Sequence, residues 1–269
     1  MPELPEVETI RRGLEPWVLN QTIAAVQILD QRSLKRHETP DFSHFLKGKT
    51  IEGAHRRGKY LWLTFKQQSI ALVIHLGMSG QLLIQAPDKA ISKHTKIILS
   101  LSNKKQLRFV DQRIFGGMFL DQLQQGIPCK ILHIAADPLA KGFTPPQAKN
   151  RAIKRLLLDQ SWVSGIGNIY ADESLWRAGI NYNTPATMIP EDSYKKLWEA
   201  IKEVLQEAIS AGGTSFDELY VKVNGNSGYF DRKLNVYGRE DSACAHCGTA
   251  IVREKFMNRS SFFCPQCQK

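Results

Sequence analysis

Cys244-Ala245-His246-Cys247 and Cys264-Pro265-Gln266-Cys267 are two Cys-x2-Cys pairs, and sixteen residues separate them near the end of the chain. This spacing is typical of a zinc ribbon, in which four thiolates bind one Zn²⁺. Because four cysteine ligands leave no open position for a catalytic water, the sequence predicts a structural metal. A short ribbon has little apolar core of its own, so the metal would supply much of its folding free energy.

The chain carries a surplus of positive charge. Its 269 residues include 36 Lys and Arg against 26 Asp and Glu, a formal net charge of +10. Such a surplus favours a polyanionic partner, either nucleic acid or an anionic membrane surface. No apolar run reaches transmembrane length, so we expect nucleic acid and no membrane partner.

Cysteine usage indicates the compartment. Four of the five cysteines lie in the last 26 residues, and the chain begins without an apolar signal segment. These features predict a reducing, cytoplasmic location rather than a disulfide scaffold. Cys129, outside the quartet, is expected to be a buried small hydrophobic residue.

Hydrophobic periodicity predicts an α+β chain. After Pro5, the residues Val7, Ile10 and Leu14 fall at helical spacing, so an amphipathic helix is expected from residue 5 to about 14. From about 22 to 120 the pattern alternates as in strands, which predicts a mostly antiparallel β-sandwich. The alternating residues are Leu61, Leu63, Phe65, Leu72, Ile74, Ile97, Leu99 and Leu101.

The C-terminal half has the pattern of a helical region. A Pro- and Gly-containing stretch at 137–146 predicts a linker, and apolar spacing predicts a short helix at 153–157 and a long one at 194–209. Between them, Ser164–Tyr170 contains two glycines and Asn168. Such a turn can present helix N–H groups to phosphate, but an ordinary Gly-rich turn with an Asn cap fits equally well.

The chain opens with Met1-Pro2-Glu3-Leu4-Pro5-Glu6. Once Met1 is removed, Pro2 is a secondary amine, and its attack on an aldehyde-level carbon such as a sugar C1′ gives an iminium ion. The alternative is that the prolines only begin a helix, with acidic residues complementing its positive end.

Seven motifs in order resemble bacterial formamidopyrimidine-DNA glycosylase over the whole chain. They are PELPEVETIRRGL at 2–14, RRGKY at 56–60, HLGMSG at 75–80, GIGNIYADESLWRAGI at 165–180, GGTS at 212–215, VYGRE at 236–240 and FFCPQCQ at 262–268. The opening resembles this family more than endonuclease VIII, in which a Gly typically replaces Leu4.

The resemblance implies a bifunctional, monomeric enzyme acting on double-stranded DNA. It would excise oxidised purines, such as 8-oxoguanine and formamidopyrimidines, and then nick the strand by β,δ-elimination. Pro2 would form the Schiff base at C1′, Glu3 would be the general acid, and Glu6 would support the start of the helix. Lys59 would join the catalytic set and bind phosphate.

The resemblance also implies the DNA contacts. Met78, Arg113 and Phe115 would fill the hole that an everted base leaves, although Gln112 and Ile114 depart from the family's usual Pro and basic residue. His75, Asn168, Tyr170 and Arg259 would complete the DNA-binding set, with Arg259 near a hairpin tip in the ribbon. Residues 216–230 resemble the loop that closes over the damaged base, although an ordinary surface loop is the alternative.

The predicted fold is α+β: an N-terminal antiparallel β-sandwich with an N-terminal helix, then a helix-two-turn-helix domain and a four-cysteine zinc ribbon. The predicted bounds are 1–131 for the catalytic domain, 132–147 for the linker, 148–238 for the helical domain and 239–269 for the ribbon. Two alternative functions remain open at this stage. One is a non-catalytic zinc-ribbon protein that senses lesions, and the other is an endonuclease VIII-like enzyme acting on oxidised pyrimidines.

Overall fold

The computed structural model describes residues 2–35, 41–214, 223 and 234–269. Among these residues the chain forms two compact units. The first contains residues up to 133 together with 212–214 and 223, and the second contains 134–211 and 234–269. The finer bounds, with a linker at 132–147 and a separate ribbon from 239, stay a prediction.

Helix α1, Leu4–Val18, opens the first unit. Leu4, Val7, Ile10, Leu14 and Val18 are at most 1% exposed, so one face of the helix is a continuous apolar stripe against the core. The helix predicted from residue 5 to about 14 is confirmed and runs one turn further.

Two antiparallel sheets follow α1 in the first unit. One contains four strands in the order β1-β6-β7-β5, and the other contains five in the order β2-β3-β4-β8-β9. The strands are β1 Ile23–Ile28, β2 Ile51–Arg57, β3 Tyr60–Phe65, β4 Ile70–His75, β5 Gly80–Gln85, β6 Thr95–Leu101, β7 Gln106–Asp111, β8 Gly117–Gln124 and β9 Ile127–Pro128. A short helix α2, Phe42–Leu46, precedes β2.

The apolar core lies between these sheets and α1. All eight residues whose alternation predicted strands are at most 3% exposed, because successive side chains of a strand point to opposite faces and these belong to the inner face. The predicted sandwich is therefore confirmed.

Cys129 corrects one expectation. It is exposed, at the start of a single 3₁₀ turn, Cys129–Ile131, and the residue of that turn that enters the core is Ile131 at 0% exposure. A turn of three residues has only one side against the core, and the larger apolar side chain, Ile131, occupies that side.

The second unit is built on three helices and a hairpin. The helices are α3 Ile153–Leu158, α4 Asn168–Ala178 and α5 Glu191–Ser210, and the hairpin strands are β10 Val252–Phe256 and β11 Arg259–Phe263. Both helices predicted from apolar spacing are confirmed, and α4 lies almost wholly buried between its neighbours. None of the helices that the structure describes is long and apolar enough to cross a membrane.

Candidate active site and nucleic-acid interface

The first cluster of predicted residues lies at the start of α1. Pro2 and Glu3 are both buried there. Glu3 is the N-cap of the helix and forms a reciprocal capping box with Glu6, whose Oε2 accepts the Glu3 N–H at 2.8 Å. The box fixes the Glu3 backbone, and with it the position of the residue before it.

Glu6 also binds the segment that contains the GGTS motif. Its Oε1 accepts hydrogen bonds from the N–H and the hydroxyl of Thr214, at 2.9 and 3.2 Å. Gly213 lies at φ +83°, and a Cβ there would lie 3.1 Å from Oε1 of Glu6, so this close approach suits glycine. The motif therefore supports the start of α1 through one buried carboxylate.

A charged cluster sets the direction of α1 along β2. Glu8 accepts hydrogen bonds from Arg11, Arg12 and Arg56, the last at 3.0 Å, and Arg11 also donates to the carbonyl of Ala54. Burial opposes ionisation of Glu8, but these hydrogen bonds and the charge of Arg56 lower its pKa to about 2. Arg11 contacts Ala54 and Glu8 contacts Arg56, so α1 and β2 run in opposite directions. The start of α1 therefore lies towards the end of β2 that leads into Lys59.

Lys59 and His75 lie at that same end of the five-stranded sheet. Lys59 is buried in the two-residue turn that joins β2 to β3, where Gly58 takes φ +55°. The next residue, Tyr60, is paired across the strands with His75, and their ring centroids are 4.6 Å apart. The structure thus brings the predicted nucleophile, Lys59 and His75 to one end of one sheet.

Two loops leave the sheet beside His75. The first joins β4 to β5 and carries Met78, and the second joins β7 to β8 and carries Arg113 and Phe115. Met78 is 41% and Phe115 54% exposed, so neither side chain packs in the core. His75 and Phe115 both line a cavity of about 60 Å³, so these two residues are neighbours. Exposed apolar side chains on loops that also carry an arginine suit a wedge between base pairs.

The second cluster lies in the second unit, at the start of α4. Gly167, not Asn168, is the N-cap, and Asn168 is the first helical residue. The Asn168 amide therefore does not cap the helix; it donates to the carbonyl of Ser260 at 2.9 Å. Tyr170 is fully buried, so a phosphate contact from its side chain would require its exposure, and that assignment stays a prediction.

Arg259 lies at the hairpin tip, as expected. Met257 and Asn258, at φ +48° and +61°, form the two-residue turn, and Arg259 follows as the exposed first residue of β11. Since the Ser260 carbonyl is bonded to Asn168, the structure places the hairpin residue next to Arg259 at the start of α4. Cations and helix N–H groups so arranged bind phosphate.

A buried ion pair that the sequence did not reveal holds β11 in place. Lys154 Nζ lies 2.6 Å from Asp172, and both side chains are at most 1% exposed. Lys154 also donates to the Ser260 carbonyl, and Asp172 accepts the N–H of Phe262. Burial raises the pKa of Asp172 to about 7, although Lys154 opposes the rise. Lys154 is followed by Arg155 in the sequence, and its partners lie 18 to 107 residues away, so only the fold brings them together.

The four ribbon cysteines form the predicted metal site. Their sulfur atoms all lie within 4.8 Å of one another, with Cys247 and Cys264 at 3.5 Å and Cys244 and Cys267 at 3.9 Å. A tetrahedral Zn²⁺ with bonds of about 2.3 Å places sulfurs about 3.8 Å apart, so the quartet fits this ion. The Trp176 indole N–H points to Cys244 Sγ at 3.4 Å, which orients one ligand. The site holds one structural Zn²⁺.

Removal of zinc should abolish DNA binding and leave the first unit folded, because the ribbon loses most of its folding free energy and its four cysteine ligands all lie in the second unit. The measurement is DNA affinity after chelation and in Cys264→Ser, with zinc content measured in parallel. Cys129→Ser, which changes an exposed thiol outside the quartet, is the control and should retain zinc and affinity. Full affinity in zinc-free protein would contradict this role.

Comparison with known families agrees with the motifs. The N-terminal domain model of formamidopyrimidine-DNA glycosylase matches residues 1–118, the family's H2TH domain model matches 134–218, and the zinc finger found in FPG and IleRS matches 242–269. The chain belongs to the formamidopyrimidine-DNA glycosylase family. A formamidopyrimidine-DNA glycosylase of Nocardia farcinica is 51% identical, over 100% of this chain and 98% of that protein.

Solved structures of this glycosylase family resemble the chain over its full length or nearly so. A mutant of Lactococcus lactis FPG in complex with Fapy-dG-containing DNA has a TM-score of 0.88 and 32% identity, over 100% of both chains. Lactococcus lactis Fpg in complex with abasic-site DNA has a TM-score of 0.87 and 32% identity, over 99% of both chains. The glycosylase fold and zinc ribbon predicted from the sequence are confirmed. The predicted lesion-reading segment, 216–230, lies outside the described residues except for Val223.

Proposed function

We propose that this DNA glycosylase, acting as a monomer, excises oxidised purines from duplex DNA and then nicks the abasic strand by β,δ-elimination. The observation that carries the proposal is the Pro2-Glu3 start of α1, held by Glu6 and directed to the end of the sheet where Lys59 and His75 lie. A non-catalytic lesion sensor has no need of this arrangement. The two Lactococcus complexes, with lesion DNA and abasic-site DNA, support the same substrate class.

The chemistry begins with the Pro2 nitrogen, which is free only after removal of Met1. The nitrogen forms a bond to C1′ of the damaged nucleotide as the bond from C1′ to the base breaks. The base leaves with the electron pair of that bond and takes up the proton that the Pro2 nitrogen loses. Glu3 protonates the deoxyribose ring oxygen, the sugar ring opens, and an iminium ion links protein and DNA. An ordinary terminal amine has a pKa of about 7.7–8.0 and a lysine about 10.4, so at neutral pH the terminal amine is far richer in the neutral nucleophile. A proline amine is somewhat more basic, so this difference is the upper bound for Pro2.

The remaining residues hold the substrate in place. The damaged nucleotide must leave the duplex before its sugar can be attacked. Met78, Arg113 and Phe115 fill the hole it leaves, and Arg113 offers fixed donors to the orphaned base. Lys59, Asn168 and Arg259 bind the phosphate backbone, and His75 contacts the DNA at the same end of the sheet as Lys59. The reduced thiolates that bind zinc fit a cytoplasmic location.

Arg259→Ala should weaken binding to damaged and undamaged DNA alike, because a phosphate contact carries little sequence information. The slope of log affinity against log salt should fall by about 1. The measurement is affinity for duplexes with and without a non-cleavable abasic analogue at several salt concentrations. Lys195→Ala, which removes an exposed cation on α5, is the control and should leave affinity and slope unchanged. The proposed phosphate contact is wrong if Arg259→Ala keeps the wild-type slope.

Single-turnover excision of 8-oxoguanine and of thymine glycol from otherwise identical duplexes tests the substrate class. We expect faster excision of 8-oxoguanine, followed by strand nicking. Faster excision of thymine glycol would favour the endonuclease VIII-like alternative. Tight binding to both duplexes without excision of either base would favour the lesion sensor.

A further inference from the structure

Asp111 is a buried carboxylate that binds both loops carrying the proposed wedge residues. It ends β7 and is 0% exposed. Its Oδ1 accepts the Ser79 hydroxyl at 2.5 Å and the N–H of Arg113 at 3.1 Å, and its Oδ2 accepts the N–H of Gly116 at 2.8 Å. The Arg113 N–H also points to Ser79 Oγ at 3.2 Å. One carboxylate thus bonds the end of the first loop to both ends of the second.

The two loops also contact each other through their backbones. A Cβ on Gly77, in the first loop, would lie 2.4 Å from the backbone nitrogen of Gly116, in the second. A Cβ on Gly116 would lie 2.6 Å from the carbonyl oxygen of Leu76. Both distances are far inside van der Waals contact with backbone atoms that cannot move aside. The loops therefore fit together only because both residues are glycines.

The second loop adopts a conformation that needs external support. Ile114 takes φ +55°, and the left-handed region is unfavourable for a β-branched residue. Lys35 Nζ donates a hydrogen bond to the Ile114 carbonyl. Asp111 binds residues on both sides of this strained position, so its hydrogen bonds oppose relaxation of the loop.

We propose that Asp111 is a positioning residue that joins the two loops into one preformed wedge, so that Met78 and Phe115 enter the duplex together when a lesion is extruded. This proposal rests on the proposed glycosylase function. Asp111 acts at extrusion and not at the chemical step, because it is buried beneath the loops and binds their backbone. Excision of a lesion that is already unstacked should therefore depend little on Asp111.

Asp111→Asn tests the proposal, because an amide nitrogen replaces one carboxylate oxygen and cannot accept the N–H or O–H that pointed to it. Loss of a hydrogen bond to a charged acceptor should slow single-turnover excision of 8-oxoguanine paired with cytosine by about 10- to 100-fold. Excision of the same lesion from an unpaired bubble should change much less relative to wild type. The fluorescence rise of 2-aminopurine beside the paired lesion, which reports unstacking, should slow by the same factor as excision.

Two further variants keep the test interpretable. Asp121→Asn changes another buried aspartate of the same unit, which accepts the Lys130 N–H away from the loops, and it should leave both rates unchanged. Ser79→Ala removes one donor to Asp111 and should slow excision from the paired substrate by a smaller factor, again with little change on the bubble. This variant replaces Asp111→Asn if Asp111→Asn does not fold.

The possible outcomes are separable. Equal loss on paired and bubble substrates, or no loss on either, would overturn the role of Asp111 while leaving the glycosylase function intact. Wild-type protein that excises 8-oxoguanine from neither substrate would instead overturn the proposed function.

Discussion

A variant with one extra residue ahead of Pro2 should form no borohydride-trapped complex with 8-oxoguanine DNA, whereas wild-type protein lacking Met1 should be trapped. Borohydride reduces an iminium ion to a stable amine, so trapping reports the covalent intermediate. A preceding residue turns the Pro2 nitrogen into an amide, which is not nucleophilic. The measurement is the fraction of labelled DNA that migrates with protein after denaturation, with the N-terminal mass of each protein determined beforehand.

A second variant tests whether the extension only disturbs the fold. Extension at the C-terminus, after Lys269, adds the same residue without blocking the amine and should be trapped like wild type. Undiminished trapping in the N-terminally extended protein would assign the covalent chemistry to a lysine, with Lys59 the first candidate because it lies at the same end of the sheet.

Replacing Glu3 by Gln should lower the rate of 8-oxoguanine excision by about 10²–10⁴, the usual contribution of one general acid. Glutamine keeps the size of the side chain and an oxygen that can accept from the Glu6 backbone, so the helix start should remain formed. Affinity for a non-cleavable abasic analogue should therefore stay close to wild type. The measurement is single-turnover excision alongside equilibrium binding.

Glu15→Gln is the matched control for this prediction. Glu15 lies on the same helix and pairs with Arg11 at 2.6 Å, but it is 36% exposed and lies near the other end of α1 from Pro2. Its substitution should leave excision unchanged. Wild-type excision by Glu3→Gln would remove the proposed acid, and equal loss in both variants would indicate a general effect on α1.

Local patterns predicted much of the fold. The alternation of apolar residues in β3, β4 and β6 predicted strands because each of these strands places one face against the core. The two Cys-x2-Cys pairs predicted the ribbon because metal geometry limits the spacing of its ligands. Each of these signals lies within a short stretch of sequence, so the period of the apolar residues or the spacing of the cysteines is sufficient to predict the element.

Other features depend on contacts between residues that are far apart in the sequence. Ser79 and Asp111 are 32 residues apart, and Lys154 and Ser261 are 107 apart, so their hydrogen bonds exist only once the strands and helices pack. From the sequence, Lys154 beside Arg155 is expected to be solvated, because burial of a lysine charge requires a partner, and this partner, Asp172, lies elsewhere in the chain. Cys129 was predicted to be buried, since residue type alone does not say which side of a short turn meets the core.

The proposed chemistry depends on one bond, from the nitrogen of Pro2 to C1′ of the damaged nucleotide. Mass spectrometry of the borohydride-trapped complex, after digestion of both protein and DNA, tests it most directly. We expect the reduced sugar remnant on the N-terminal peptide, with fragment ions that assign it to Pro2. A remnant on Lys59 or on any other lysine, with the Pro2 amine unmodified, would contradict it.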